Sequence, residues 1–321
     1  MNLFIIGNGF DLEHGLLTSY SDFRNYLEEL DVFFLESLEG MYGFSMKSKK
    51  EIVKKFLWKD FESNLSCIDE IGIIEQGEDV ELGIEGEDIG VEDTLNSYWD
   101  SQYKFIEDLN EYVMKWVKEI DINVQRKTDV INSEDLFITF NYTLLLEEVY
   151  GISKYNILHI HGSIDEDDII PVMGHGDREK ILEIREIARN YKEKFREKQS
   201  SIHNAIADYY ERALKDVNFH ILTNDSFFRR LIDVNSISII GHSLGNVDMP
   251  YFKEIFDNVS EDTIWNIYLY NDKEEDRKEC EEKIMSIGVK KDKIKIFNSK
   301  SFFQIGCKNY IQMDYMDIIK V

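Results

Sequence analysis

The chain has 321 residues, 43% of them apolar and 13% aromatic with only two prolines, which excludes a disordered chain and leaves room for one large domain or two ordinary ones. Its 63 acids against 37 bases give a formal charge of −26, a field that repels a phosphate backbone and argues against nucleic acid as a partner. Three cysteines, Cys67, Cys280 and Cys307, are too few and too scattered for a disulfide framework or a four-thiolate zinc site, and read as reduced thiols.

The apolar run at 3–6 reads as a buried central strand, because a short apolar segment closed by Gly-x-Gly is how a parallel strand ends. It is too short for a signal-peptide core, and no run approaches a membrane span, so a cytoplasmic protein with no membrane partner is expected. Helical periodicity governs residues 20–125, a first helical insertion. Inside it, the stretch 75–94 holds nine acids, four glycines and no base, the composition of a mobile surface loop. Strands return at 136–140 and 157–160 around a short helix at 144–150, which is crossover spacing and implies parallel pairing. A second helical insertion covers 177–232 and begins with REKILEIREIARNYKEKFREK, read as one long helix with a solvated charged face. Strands at 236–240, 264–270 and 293–297, separated by helices at 248–258 and 273–286, complete the pattern. The expected fold is α/β, a single domain over residues 1–321 with a Rossmann-like parallel sheet core and two large helical insertions.

Four polar segments lie where these strands end, and an open parallel sheet binds ligands beyond the carboxyl ends of its strands. After the first strand come Gly7, Asn8, Gly9, Phe10 and Asp11, with His14 one turn on. Leu12 stands where the dinucleotide fingerprint requires its third glycine, and no strand ending in an acid follows about twenty residues later, so hydride-transfer dehydrogenases are excluded. Asp11 reads equally as a helix cap and as a ligand group, while His14 reads as packing within its turn. Asn141 reads as a turn residue or a site residue. His159 and His161 alternate on one strand face, and one of them reads as a core histidine; His161, followed by Gly162 and Ser163, has the better access for proton transfer. His175 and His242 are lower-ranked loop candidates, and no histidine spacing matches a zinc signature, so no metal is expected. Ser243, in Gly241-His242-Ser243-Leu244-Gly245, resembles a hydrolase nucleophile elbow, but no histidine follows it to complete the usual triad order.

Together the islands GNGFDLEHGLLTSYSDF, FNYT, HIHGS, GHG and GHSL resemble the AbiH-like abortive-infection family of bacterial antiphage proteins. More distantly they are similar to the sirtuin-like NAD-consuming fold. There Thr139-x-Asn141 and His161-Gly162-Ser163 match its T-x-N and H-G-S segments, and the sirtuin proline is replaced by Leu17. The resemblance implies an abortive-infection protein that cleaves the N-glycosidic bond of NAD, with Asn141 and His161 as the catalytic pair. It implies NAD as substrate, with Gly7, Asn8, Gly9 and Phe10 on the phosphate and nicotinamide side. Asp11, His14, Gly162, Ser163, Gly241 and Ser243 belong to the same binding set, and His242 and Asp248 close the far wall. A phage-derived trigger and a homo-oligomer are the partners this context suggests. The rival readings are a non-catalytic nucleotide or ADP-ribose sensor and a nuclease effector.

Overall fold

Leu3, Phe4, Ile5 and Ile6 are all buried, so the strand they form, β1 (Asn2–Ile6), is covered on both faces, as a central parallel strand must be. The computed structural model describes residues 1–79, 108–271 and 273–303. Around β1 stand β2 (Leu136–Thr139), β3 (Ile157–His159), β4 (Ser236–Ile240), β5 (Ile264–Leu269) and β6 (Ile294–Asn298) in the order β3-β2-β1-β4-β5-β6. Every pairing is parallel. This is the doubly wound, Rossmann-like order, whose direction of growth reverses between β1 and β4. The expected α/β parallel core is the one observed. Lys295 sits exposed on the edge strand β6, where a charge blunts pairing with another chain.

By its internal contacts the chain divides into two units. The first comprises Met1–Thr18, Glu119–Ile169 and the chain from Asn218, and contains the whole sheet. One of its buried clusters joins Phe4 and Phe137, stacked with ring centroids 5.3 Å apart, to Phe10, Leu16, Leu145 and Tyr150. Each such aromatic contributes roughly 2–3 kcal/mol by leaving water.

The second unit comprises Ser19–Lys118 and Ile170–Val217 and is helical. Its first helix, Tyr20–Leu30, starts in a capping box: Ser19 Oγ accepts from the Asp22 amide at 3.2 Å, and Asp22 Oδ2 accepts from the Ser19 amide at 3.0 Å. Asp31 ends it and caps the next helix, accepting from Phe34 N at 2.9 Å. Trp58 stacks on Phe61 at 4.3 Å and Phe23 lies 4.9 Å from Trp116, which makes an aromatic centre.

Two expectations change here. The long charged helix is two helices, Arg178–Glu193 and Glu197–Arg212, because Phe195 takes a left-handed φ of 56° and turns the chain. The reversal brings Arg185 onto Asp208 at 2.5 Å and Glu211 at 2.8 Å, so part of the charged face clasps one helix to the other. Of the acidic stretch 75–94, residues 75–79 complete the helix Glu70–Asp79, and residues 80–94 lie outside the described residues, as does Cys307.

Candidate functional site at the carboxyl edge of the sheet

The loops after β1 and β4 meet backbone to backbone. Gly7 N donates to Ile240 O and Gly9 N to Gly241 O, both at 2.9 Å. A Cβ on Gly7 would lie 2.6 Å from Gly241 O, and one on Gly241, whose φ is +67°, would lie 2.4 Å from Phe10 N. These glycines therefore admit a neighbouring loop rather than a ligand at this point. The Gly9 amide is spent on Gly241, the Phe10 amide turns back to Gly7 O, and Asn8 Nδ2 donates to Thr18 O at 2.8 Å.

Phe10 and His14, which the resemblance places in the binding set, both lie in the core, His14 in the packing role its turn suggests. The Phe10 ring is fully buried. His14 Nδ1 meets the Phe10 carbonyl at 2.8 Å, an acceptor only, so Nδ1 carries the proton and Nε2 accepts from Tyr150 Oη at 2.8 Å. Burial holds the His14 pKa below its ordinary value, consistent with that neutral ring. Tyr150→Phe is expected to cost about 1–2 kcal/mol in chemical denaturation, because it strips a buried acceptor of its donor.

Asp11 is turned inward. Its Oδ1 accepts from Asn141 Nδ2 and its Oδ2 from Thr143 Oγ1, each at 2.7 Å. Asn141 Nδ2 also approaches Gly7 O at 3.2 Å, and the Asn141 amide oxygen accepts no hydrogen bond among the described residues. An ionised carboxylate only accepts, so Asp11 fixes the Asn141 amide with its nitrogen inward and its oxygen as the remaining polar atom. Burial pushes the Asp11 carboxyl up to about 6, against the pull of its two hydrogen bonds.

His159 is the satisfied histidine of its pair. Nδ1 meets the Asn141 carbonyl at 3.1 Å and Nε2 meets Glu147 at 2.8 Å; both partners accept, so the ring is an imidazolium. Burial alone would lower its pKa, but Glu147, through both hydrogen bond and charge, and the Asn141 carbonyl outweigh it, and the pKa is raised. Asn141 is thus held through its side chain by Asp11 and through its backbone by His159.

His161, just past β3, is buried and faces Asp248, with Nε2 3.7 Å from Oδ1. His242, just past β4, places Nε2 3.3 Å from the other oxygen of the same carboxylate. The Phe140 ring lies against both, at 5.1 and 4.2 Å. Gly162, at φ +82°, makes the turn after His161, and the fully buried Ser163 accepts from Asp165 N at 3.1 Å, a turn role.

Ser243 is exposed on the loop between β4 and the helix Met249–Asn258. A nucleophile elbow needs its serine on the strained residue between a strand and an immediately following helix. Here the left-handed residues are Gly241 and Leu244, not Ser243, and the loop separates Ser243 from the helix. Ser243 and His242 instead border a cleft of about 390 Å³ with Gly9, Tyr268, Asn271 and Asp276.

His175 lies in the helical unit, with Nε2 on Tyr210 O at 3.0 Å and Nδ1 accepting from Asp177 N at 3.0 Å, a structural pairing. Sequence reading missed Thr143, Glu147 and Tyr150 as partners of Asp11, His159 and His14, and it missed His220, whose ring lies 6.3 Å from His161. Only Thr143 carried a signal, from its place in FNYT. Among the described residues, no three His, Cys, Asp or Glu side chains are placed to hold a metal ion, and no helix is long and apolar enough to cross a membrane.

The model of the bacteriophage abortive infection AbiH family matches residues 3–270, a span that includes Asp11, Asn141, His161, His242 and Asp248. The chain belongs to the AbiH family. Membership in AbiH implies a role in abortive infection against bacteriophage. No curated protein and no solved structure matches this AbiH chain.

Proposed function

We propose that this AbiH-family protein is an effector that cleaves the nicotinamide–ribose bond of NAD at the carboxyl edge of its sheet. The observation that carries the reading is the His161 imidazole beyond the end of β3, a base with the Asp248 carboxylate 3.7 Å from its Nε2, at the carboxyl edge where this strand order receives nucleotides. The similarity of Thr139-x-Asn141 and His161-Gly162-Ser163 to the T-x-N and H-G-S segments of the sirtuin-like fold supports it.

Breaking the bond sends its electron pair to the nicotinamide nitrogen and leaves positive charge on the ribose. Asn141 offers its amide oxygen to a ribose hydroxyl, and His161 takes the proton from the attacking water. The products are nicotinamide, ADP-ribose and one proton. If a hydroxyl other than water attacks, the same groups carry out transfer.

Purified protein is expected to release nicotinamide from NAD, and Asn141→Ala and His161→Ala are expected to lower the rate by about 100-fold or more while still folding, at a melting temperature lowered by the loss of a buried side chain. A second reading, a nucleotide or ADP-ribose sensor, is favoured by the burial of the His161 and His242 side chains, each 4% exposed. It predicts no release, with NAD or ADP-ribose still raising the melting temperature.

A further inference from the structure

Asp248 occupies the N-cap position of the helix Met249–Asn258, yet its side chain makes no capping hydrogen bond. The second residue of that helix is Pro250, which has no N–H to offer a cap. The carboxylate instead points at two imidazoles, Oδ1 toward His161 at 3.7 Å and Oδ2 toward His242 at 3.3 Å.

The two rings are not equivalent. His242 Nδ1 receives the backbone N–H of Leu244 at 2.9 Å. That N–H is aimed by the left-handed turn at Leu244, φ +53°, whose side chain is buried. An imidazole nitrogen that accepts a backbone N–H holds no proton, so the neutral ring carries its hydrogen on Nε2, facing Asp248. Adding a second proton to His242 would break the Leu244 contact. Among the groups around His161 are Asp248, the Tyr251 ring at 5.5 Å, the His220 ring at 6.3 Å and the apolar Phe140 ring. Around His242 stand Asp248 and the rings of Phe140 and Phe252.

We infer that His242 is a positioning residue, a neutral ring whose Nε2 stands against one oxygen of Asp248 so that the other oxygen faces His161, and that a proton entering this group rests on His161. His242 borders the cleft without being the base. The inference rests on the proposed function only for what the proton is used for. Water loses a proton to His161 as it bonds to the ribose carbon, and Asp248 balances the imidazolium until the proton leaves to solvent.

The test is the ¹⁵N ring spectrum of the full-length protein across pH, which reads each tautomer without any turnover. His242 should keep an unprotonated Nδ1 and a protonated Nε2 throughout the neutral range, while His161 titrates. Asp248→Asn should lower the His161 midpoint by about one pH unit, a tenfold change in proton affinity. His242→Gln, which keeps a donor near Nε2, should leave that midpoint near wild type, whereas His242→Phe should move it toward the Asp248→Asn value. If His242 titrates in place of His161, or Asp248→Asn moves neither ring, the inference is overturned. Nicotinamide release measured on the same samples separates the two claims. The expected spectra without release would sink the NAD reading alone, and release with an unchanged Asp248→Asn spectrum would sink this one alone.

Discussion

Gly241→Ala is expected to cost roughly 3–5 kcal/mol and to leave little folded protein. Two effects combine. The φ of +67° is the left-handed region, where a Cβ costs about 1–2 kcal/mol. The added carbon would also lie 2.4 Å from Phe10 N and 2.7 Å from Gly9 C, which are backbone atoms of the β1 loop that have no rotamer by which to yield. Two alanines serve as internal comparisons. Gly15→Ala has φ +83° and nothing within 4 Å, so it should show the conformational cost alone, about 1 kcal/mol. Gly245→Ala meets only side-chain atoms at 3.9 Å and should stay within about 0.5 kcal/mol of wild type. Denaturant midpoints in that order would show that the β1 and β4 loops are joined by close backbone contact; equal losses at Gly15 and Gly241 would contradict it.

The second large effect is at Asp11. Its pKa is raised from 3.8 to about 6, mainly by burial, so the folded protein holds this proton more tightly than the unfolded chain. Stability from this group is therefore greatest below about pH 4 and is lost as pH rises to about 6, by roughly 3 kcal/mol for a shift of about two units. Asp11→Asn removes the ionisation. Its unfolding free energy should lack that fall between pH 4 and 7, so it should be the more stable protein at neutral pH relative to its own acid value. It should also lose nicotinamide release, because an asparagine presents both donors and an acceptor to Asn141 and no longer fixes the amide. A carboxylate that costs stability at neutral pH while orienting a site residue is what a trade of stability for function predicts. A variant whose pH–stability curve parallels wild type would refute the assignment.

The strands were legible because each is a short, mainly apolar run, interrupted in β4, β5 and β6 only by single residues such as Ser238, Asn266 and Lys295, and six such runs in a crossover rhythm specify a parallel sheet. The break at Phe195 was not, since charged helical periodicity continues through it and only the left-handed turn reveals two helices. The start of the acidic stretch also misled. Residues 75–79 extend a helix begun at Glu70, whose buried face includes Ile73 and Gly77, and composition alone does not show where that packing stops.

Within the site, sequence placed Asn141, His161, His242 and Asp248 at strand ends but could not say which touch. Asp11 lies 130 residues from Asn141, and its inward turn follows from sheet order rather than local pattern. The choice between a capping and a histidine-facing Asp248 likewise depends on where β3 ends relative to β4. Sequence ranks His161 above His159 and reads His14 as packing, but it does not supply the partners that make His14 a core ring and His159 an imidazolium and set His161 beside Asp248.

The seven histidines supply the most direct measurement of where the nucleotide binds. Carba-NAD, whose glycosidic bond is not cleaved, is titrated into histidine-labelled protein while the ring resonances are followed. The His161 and His242 signals should move together and saturate, with His14, His175 and His203 unchanged. No movement at His161 and His242, or movement confined to the other rings, would contradict a nucleotide site at this edge of the sheet.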